Sequence, residues 1–209
     1  MIVSMGNAML VWFTLSRRAS RWALLVSVVA ILGTGCTPKS PPAATPAKAP
    51  QVDLPFDHDQ YMQAAIEQAQ EVPELPFGAV LVDTRSGEIV ARGHNRSGEN
   101  PTFHGEIDVI NRCAASGQAI DWSTLALYTT AEPCPMCQGA IEWAGIGYVV
   151  YGTSITTLQK LDWWQIDIRA DEVIRRTPFR QTKILGGVLE QECDALFRAV
   201  PKGKYRTKE

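Results

Sequence analysis

The sequence has no acidic residue before Asp53 and no apolar run long enough to cross a membrane. Its first 35 residues instead place three arginines before an apolar run of 11 residues, Trp22 to Leu32. A permanent membrane-spanning helix is the alternative, but such a helix needs about 20 apolar residues, so the run is short for one. Basic residues, a short apolar core and small residues before a cleavage point are typical of a secretory signal. We therefore predict that residues 1–35 are a removable signal peptide and that the remainder is exported to the periplasm or cell surface.

The stretch that ends in Cys36 resembles the lipobox of bacterial lipoproteins, in which the cysteine carries the lipid. Gly33 stands where such boxes usually have leucine. The next residues, Thr37 to Pro50, are rich in proline and alanine and poor in core-forming side chains, which is typical of an extended, semi-rigid spacer. The sequence thus predicts a lipid anchor at Cys36 and a tether over residues 36–55, which would hold the exported domain at a membrane.

Basic residues are too few for a nucleic-acid-binding surface. The chain has 20 basic and 22 acidic residues, and removal of the three arginines of the signal leaves a net charge near −5. Nucleic-acid binding normally requires a basic face, and after the signal no such face is evident before the C-terminal "PKGKYRTKE", which is more typical of a solvated end than of a binding arm. The balance argues against a nucleic-acid partner and favours a small-molecule substrate.

Residues 56–205 alternate between helical and strand patterns. A helical pattern follows Asp57, a candidate helix cap, and two strand patterns then flank a turn at Ser86-Gly87. Further helices are predicted for "GEIDVINRCAASG", "PMCQGAIEWAG" and "EQECDALFRAV", and further strands for "TLALYTTAE", "IGYVVYGTS" and "TKILGGVL". Strands that alternate with helices predict a layered α/β sandwich around one sheet. Residues 158–179 show no clear periodicity and receive no predicted element.

The chain has five cysteines, and two of them, Cys134 and Cys137, form a Cys-x-x-Cys pair. Four interpretations are open: a disulfide across a very small loop, a redox pair, a structural zinc site with four protein ligands, or a catalytic zinc site with three. Pro133 and Pro135 indicate that the pair begins a helix, where unpaired N–H groups and the helix dipole favour thiolate. Residues three apart on a helix point the same way, so both sulfurs can bind one ion.

A histidine and a glutamate upstream could complete a catalytic site. Only three histidines occur in the chain, and His104 alone stands in a His-x-Glu sequence, with Glu106. His104 opens a predicted helix, so two helix N-termini at one edge of a sheet would bring it beside Cys134 and Cys137. Zinc lowers the pKa of water enough to supply hydroxide near neutral pH, and Glu106 could take the proton and pass it to a leaving amine. The alternative is that His104 only caps or packs its helix.

Together, "HGE" and "PCPMC" resemble the cytidine and deoxycytidylate deaminase superfamily, whose signature joins His-x-Glu to Pro-Cys-x-x-Cys. The resemblance runs from Pro76 to Gly152. It implies a three-layer α/β/α sandwich with a mixed five-stranded sheet, and hydrolysis of an exocyclic amine to a carbonyl with release of ammonia. It also implies that His104, Cys134 and Cys137 bind Zn²⁺ and that Glu106 transfers protons.

Within the superfamily, "GHNRS" and "NPTFHGE" resemble the branch that contains guanine deaminases and the adenosine deaminases of transfer RNA. This implies that Asn95 hydrogen-bonds the base, that Phe77 faces its ring, and that Trp143, six residues after the second cysteine, stacks on it. Alternatively, Asn95 is a turn residue and each aromatic belongs to the core. The predicted substrate is a free nucleobase or nucleoside, with the purine guanine as the favoured one. An adenosine, cytidine or transfer-RNA deaminase, or a zinc-stabilised binding or redox module, is the alternative.

Two features depart from that branch. Gly105 replaces the usual alanine between the histidine and the glutamate, which lowers helix propensity but removes no ligand. Guanine deaminases close the site with acidic and tyrosine side chains from later segments, for which Asp162, Asp167 and Tyr205 are candidates without an assigned place. Relatives are dimers, so a homodimer is expected.

Overall fold

In the computed structural model of the chain, the described residues are 54, 56–179 and 182–201. The predicted signal peptide, the lipidation site Cys36, nearly all of the predicted tether and Tyr205 lie outside these residues. Within them, no helix is both long and apolar enough to cross a membrane.

The described part of the chain forms six α helices and five strands. The helices are α1 (His58–Gln70), α2 (Gly105–Ala115), α3 (Pro135–Ala144), α4 (Ile155–Lys160), α5 (Ala170–Arg176) and α6 (Glu190–Ala199). The strands are β1 (Gly78–Asp83), β2 (Ile89–His94), β3 (Leu125–Ala131), β4 (Tyr148–Thr153) and β5 (Lys183–Gly186). Every predicted helix and strand is present, and α5 and the end of α4 occupy the segment without a predicted element.

Local sequence explains where several elements begin and end. The side chain of Asp57 accepts a hydrogen bond from the backbone N–H of Asp59 at 3.1 Å and so caps α1. The hairpin between β1 and β2 turns through Gly87, whose φ of +75° lies in the left-handed region that favours glycine. Gly145 ends α3 in the same region, with a φ of +76°.

The strands form one mixed sheet in the order β2-β1-β3-β4-β5. β1 pairs antiparallel with β2 and with β3, whereas β3, β4 and β5 run parallel. In this register Leu127 of β3 lies opposite Leu81 of β1 and Val149 of β4. Parallel neighbours require crossover connections, which α3 provides between β3 and β4, and α4 and α5 provide between β4 and β5.

Side chains of β3 alternate between two hydrophobic layers. Leu125 and Leu127 pack in a core with residues of α2, α3 and α5, whereas Ala126 and Tyr128 pack with residues of α1 and α6. All seven residues of β3 are buried, as expected of a central strand covered on both faces. The fold is therefore the predicted three-layer α/β/α sandwich with a mixed five-stranded sheet.

Candidate active site

Two helix N-termini carry the three predicted metal ligands. His104 immediately precedes α2 and Cys134 immediately precedes α3, and both have extended backbones with ψ angles of 163° and 165°. Neither side chain makes a hydrogen bond that caps its helix, so the interpretation of His104 as a helix cap does not hold. Pro135 occupies the first position of α3, which suits its fixed φ, and Cys137 follows in the first turn.

The three ligand atoms are close enough to bind one ion. Nδ1 of His104 lies 3.6 Å from Sγ of Cys134 and 3.6 Å from Sγ of Cys137, and all three atoms lie within 4.8 Å of one another. In a tetrahedral site with zinc bonds of about 2.0 Å to nitrogen and 2.3 Å to sulfur, those two ligand atoms lie about 3.5 Å apart. The residues therefore fit Zn²⁺, and three protein ligands is the number that catalytic zinc sites use.

The electrostatics of this group favour thiolate at Cys134. A hydrogen bond from Cys137, assisted by His104, lowers the pKa of Cys134 to about 4. The same hydrogen bond, together with burial, holds the pKa of Cys137 well above its ordinary value. Both cysteines are free rather than joined in a disulfide. Because thiolate is the form that binds metal, the site already presents one ligand in that form.

Glu106 lies in the first turn of α2, with only 3% of its surface exposed. Burial raises the pKa of its carboxyl to about 7, and the negative charge of Cys134 adds to the effect. A carboxyl with a pKa near neutrality can both accept and release a proton under working conditions. Since burying a carboxyl costs stability, its place beside the metal ligands indicates a chemical role rather than packing.

A cavity of about 160 Å³ opens beside His104, Cys134 and Glu106. Two of the predicted substrate-binding residues, Phe77 and Asn95, line it. The Oδ1 of Asn95 accepts hydrogen bonds from the backbone N–H of Ser97 at 2.9 Å and from its hydroxyl at 2.8 Å. These bonds orient the carboxamide and leave its nitrogen to donate to a ligand.

The other side of the cavity was not predicted from the sequence. It is formed by Trp163, Trp164 and Gln165, and the lining is completed by Leu75, Ser97 and Glu132. The buried Trp163 packs edge-on against Phe77, with ring centroids 5.5 Å apart. Its Nε1–H donates to the carbonyl of Phe197 at 3.3 Å. The adjacent tryptophans of "LDWWQID" are the local signal that could have indicated an aromatic wall.

The acidic candidates for closing the site lie elsewhere. Neither Asp162 nor Asp167 is among the residues that line the cavity. Asp162 occupies the turn after α4 with a φ of +65°. Asp167 accepts a hydrogen bond from Nε2 of Gln159 at 3.2 Å on the exposed surface.

Trp143 also lies away from the cavity. Its side chain is 79% exposed and packs edge-on against Phe179, with ring centroids 4.6 Å apart. Six residues of an α helix correspond to about 600° of rotation, so Trp143 points about 120° away from the direction of the buried Cys137. The prediction that Trp143 stacks on the base is therefore not met within this chain.

The fold and the site together define the class of the protein. A three-layer sandwich presents one histidine and two cysteines to a single ion, beside a buried glutamate and a small aromatic cavity. This arrangement is that of a zinc-dependent hydrolase.

Comparison with known proteins gives a consistent result. Residues 56–153 match the family described as the cytidine and deoxycytidylate deaminase zinc-binding region. The chain is 36% identical over 155 residues to a tRNA-specific adenosine deaminase of Bacillus subtilis, which covers 69% of this chain and 91% of the relative. It is 33% identical over 141 residues to a guanine deaminase of the same organism, which covers 62% of this chain and 88% of the relative.

Among solved structures, the guanine deaminase from Nitrosomonas europaea superposes with a TM-score of 0.60 at 24% identity, over 72% of this chain and 86% of that protein. This likeness supports the fold. The chain belongs to the cytidine and deoxycytidylate deaminase family, and it is a zinc-dependent deaminase that acts by hydrolysis.

Proposed function

We propose that the domain deaminates a free nucleobase, with guanine as its substrate: guanine and water give xanthine and ammonia. The observation that carries the proposal is the placement of Glu106 and the metal ligands at one end of a cavity lined by Phe77, Asn95 and Trp163. A flat apolar surface with a few directional polar groups suits a planar base. The guanine deaminase of Bacillus subtilis is among the similar proteins.

The size of the cavity supports a free base over a nucleoside. Its volume of about 160 Å³ is below the roughly 300–1,000 Å³ of sites for larger ligands. The rings of Phe77 and Trp163 provide apolar surface for the faces of the base. The amide nitrogen of Asn95 offers a donor to its polar edge, and the carboxamide of Gln165 offers a donor and an acceptor.

The residues of the site divide the chemical work. Zinc, held by His104, Cys134 and Cys137, would supply an activated water. Glu106, whose pKa of about 7 lets it carry a proton near neutrality, would protonate the amine that leaves as ammonia. Asn95 would orient the base through its amide nitrogen.

The two alternative functions are deamination of an adenine-type substrate and a zinc-stabilised module without chemistry. The 36% identity to a tRNA-specific adenosine deaminase favours an adenine-type substrate as the second candidate, but acidic residues outnumber basic ones in the chain, 22 to 20, which does not favour a nucleic-acid substrate. A zinc-stabilised module without chemistry would have no use for a buried carboxyl at position 106.

The decisive experiment measures ammonia released by zinc-loaded protein from guanine, adenine, cytosine, their nucleosides and transfer RNA. Fastest release from guanine is expected. Faster release from adenosine or transfer RNA would show that the protein is an adenosine-type deaminase. If none of these compounds released ammonia, the zinc-stabilised binding module would be the remaining function.

We further propose that the domain acts outside the cytoplasm, anchored through a lipid on Cys36. The basic and apolar residues of 1–35 and the Pro/Ala-rich stretch that follows support this. Labelling of cells with a fatty acid should mark the wild-type protein and not Cys36→Ser. Label on that variant, or wild-type protein found with its signal attached in the cytoplasm, would contradict the proposal.

A homodimer is the remaining part of the proposal. Trp143, Ile168 and Phe179 are exposed along the groove between α3 and α5, and Met136 is exposed elsewhere on α3. A second copy that covers this apolar surface would remove it from water.

A further inference from the structure

Glu132 is a buried carboxylate between the cavity and the metal-binding loop (residues 132–134), which leads from β3 to α3. It lies between the end of β3 and Cys134, and its side chain is 2% exposed. Its backbone N–H donates to the carbonyl of Thr153 at 2.7 Å, which fixes the main chain at this point. Glu132 lines the cavity but is not one of the three metal ligands.

Both oxygens of Glu132 accept hydrogen bonds from a later part of the chain. Oε1 accepts from Nε of Arg169 at 2.8 Å and from the backbone N–H of Ala170 at 3.0 Å. Oε2 accepts from the backbone N–H of Ile155 at 2.9 Å and pairs with a second guanidinium nitrogen of Arg169 at 2.6 Å. Such charge-assisted, two-pronged contacts are strong and directional. One carboxylate therefore holds the first residues of α4 and α5 at one point.

The stretch between those two helices forms one wall of the cavity. Residues 161–169 connect α4 to α5 and contain Trp163, Trp164 and Gln165, which line the cavity. The backbone hydrogen bonds of this stretch are local, such as that from the N–H of Trp163 to the carbonyl of Leu158 at 2.9 Å. These backbone hydrogen bonds do not connect the wall to the metal-binding loop. The ion pair between Glu132 and Arg169 does connect them.

We propose that Glu132, acting through Arg169, is a positioning residue that sets the distance between the metal-binding loop and the wall formed by residues 161–169. The inference rests on the proposed function, since it concerns how the base is held. A base in the cavity lies between His104 and the wall. Loss of the pair would let the wall move away and weaken contacts to the base, while the metal ligands stay on their own helices.

The test uses the full-length, zinc-loaded protein with Glu132→Gln. Glutamine keeps the size of the side chain but has one acceptor oxygen and one donor nitrogen. In either orientation its NH₂ group takes the place of one carboxylate oxygen and faces N–H groups that this oxygen accepted from, so those hydrogen bonds are lost. Arg169→Gln is the second variant. The side chain of Arg169 is 37% exposed, so its replacement should disturb the fold less than a change at the buried Glu132. Arg169→Gln therefore tests the same contact if Glu132→Gln does not fold. Glu172→Gln is the matched control, because Glu172 pairs with Arg176 on the surface of α5.

We expect KM for guanine to rise about tenfold in both test variants with little change in kcat, since small displacements of positioning groups can cost up to about 100-fold. Zinc content should equal that of the wild type. Amide hydrogen exchange should accelerate in peptides that cover residues 161–169 and not in those that cover β1 and β3. The control should match the wild type in all three measurements.

Two results in the test variants would overturn the inference. The first is that KM for guanine and amide hydrogen exchange in residues 161–169 both stay at wild-type values. The second is that exchange accelerates equally throughout the fold, which would indicate a purely structural role. Hydrogen exchange requires no turnover. Wild-type protein that releases no ammonia from guanine would therefore count against the proposed function alone, and the exchange data would still decide whether Glu132 positions the wall.

Discussion

Nδ1 of His104 lies 3.6 Å from Sγ of Cys137, although 33 residues separate them in the chain. The distance is set by α2 and α3, which contact each other and both pack in the core on one face of the sheet. Ligands carried on rigid elements keep their geometry better than ligands on loops. The metal site is therefore a product of the core, and its ligands can be tested one at a time.

Replacement of Cys137 by serine should remove zinc from the protein. The hydroxyl of serine does not form the thiolate that binds metal, so affinity should fall by more than the roughly 10–100-fold that loss of a supporting contact costs. Metal analysis after dialysis measures this. Cys113→Ala is the control, because Cys113 is a buried cysteine of α2 outside the ligand set. Equal zinc in Cys137→Ser and wild-type protein would rule out the ligand role.

Glu106→Gln should lower kcat for guanine by about 10²–10⁴-fold, the usual contribution of a positioned acid–base group. Glutamine preserves the shape of the side chain but cannot transfer a proton, so zinc content should not change. Ammonia release and metal analysis on the same sample provide the measurement. Wild-type ammonia release from this variant would eliminate the proposed role of Glu106.

Short motifs made the metal site predictable from the sequence, and the cavity wall was not predictable in the same way. His104 and Glu106, like Cys134 and Cys137, lie within three residues of each other at the start of one helix, so local sequence alone keeps each pair together. Trp163, by contrast, reaches the cavity between α4 and α5. Helices of six and seven residues are too short to be stable alone and depend on tertiary contacts that local periodicity does not encode.

Trp143 shows the limit of extending a motif along a helix. The resemblance to guanine deaminases implied that Trp143 faces the base, whereas the rotation of the helix turns it toward Phe179.

Alanine at position 105 should destabilise the protein although it is the usual residue in the branch that the sequence resembles. A Cβ on Gly105 would lie 2.6 Å from the carbonyl oxygen of Phe77, which also accepts the backbone N–H of Asn95 at 2.9 Å. The expected loss is about 1–2 kcal/mol of unfolding free energy, as for other overpacked sites, measured by urea denaturation.

Gly139→Ala provides the contrast, because a Cβ there would meet no atom within 4 Å. Inside α3 this change should stabilise the protein by about 0.5–1 kcal/mol through helix propensity. If Gly105→Ala raised the free energy of unfolding by a similar amount, the backbone at Phe77 would have to move aside without loss of stability, and the prediction would be wrong.

Trp143→Ala should shift the proposed dimer toward monomer without changing zinc content. Removing a largely exposed indole and its contact with Phe179 deletes the largest apolar side chain from the face that a second copy would cover, and large aromatic side chains carry much of the energy of such interfaces. Light scattering over a range of protein concentrations gives the mass. A dimer that persists while KM for guanine rises would instead return Trp143 to a role at the substrate.

His58 gives the fold a built-in sensitivity to acid. Its Nδ1 lies 2.9 Å from the hydroxyl of the buried Tyr128, and a neutral imidazole can accept that hydrogen bond. Burial lowers the pKa of His58 below its ordinary value of 6.5, against the opposing effect of Asp59 and Asp57. The folded protein therefore binds this proton less readily than the unfolded chain does.

Above pH 6.5 His58 is neutral in both the folded and unfolded states, so its contribution to stability is fully present there. As the pH falls below 6.5, the unfolded chain takes up the proton first, and the free energy of unfolding decreases until the folded-state pKa is passed. His58→Gln, which keeps an acceptor for Tyr128 but does not titrate, should flatten the dependence of stability on pH between 7 and 5. Urea denaturation of the zinc-loaded proteins at both pH values measures the difference, and identical slopes for variant and wild type would show that the imidazole is as easily protonated in the fold as in the unfolded chain.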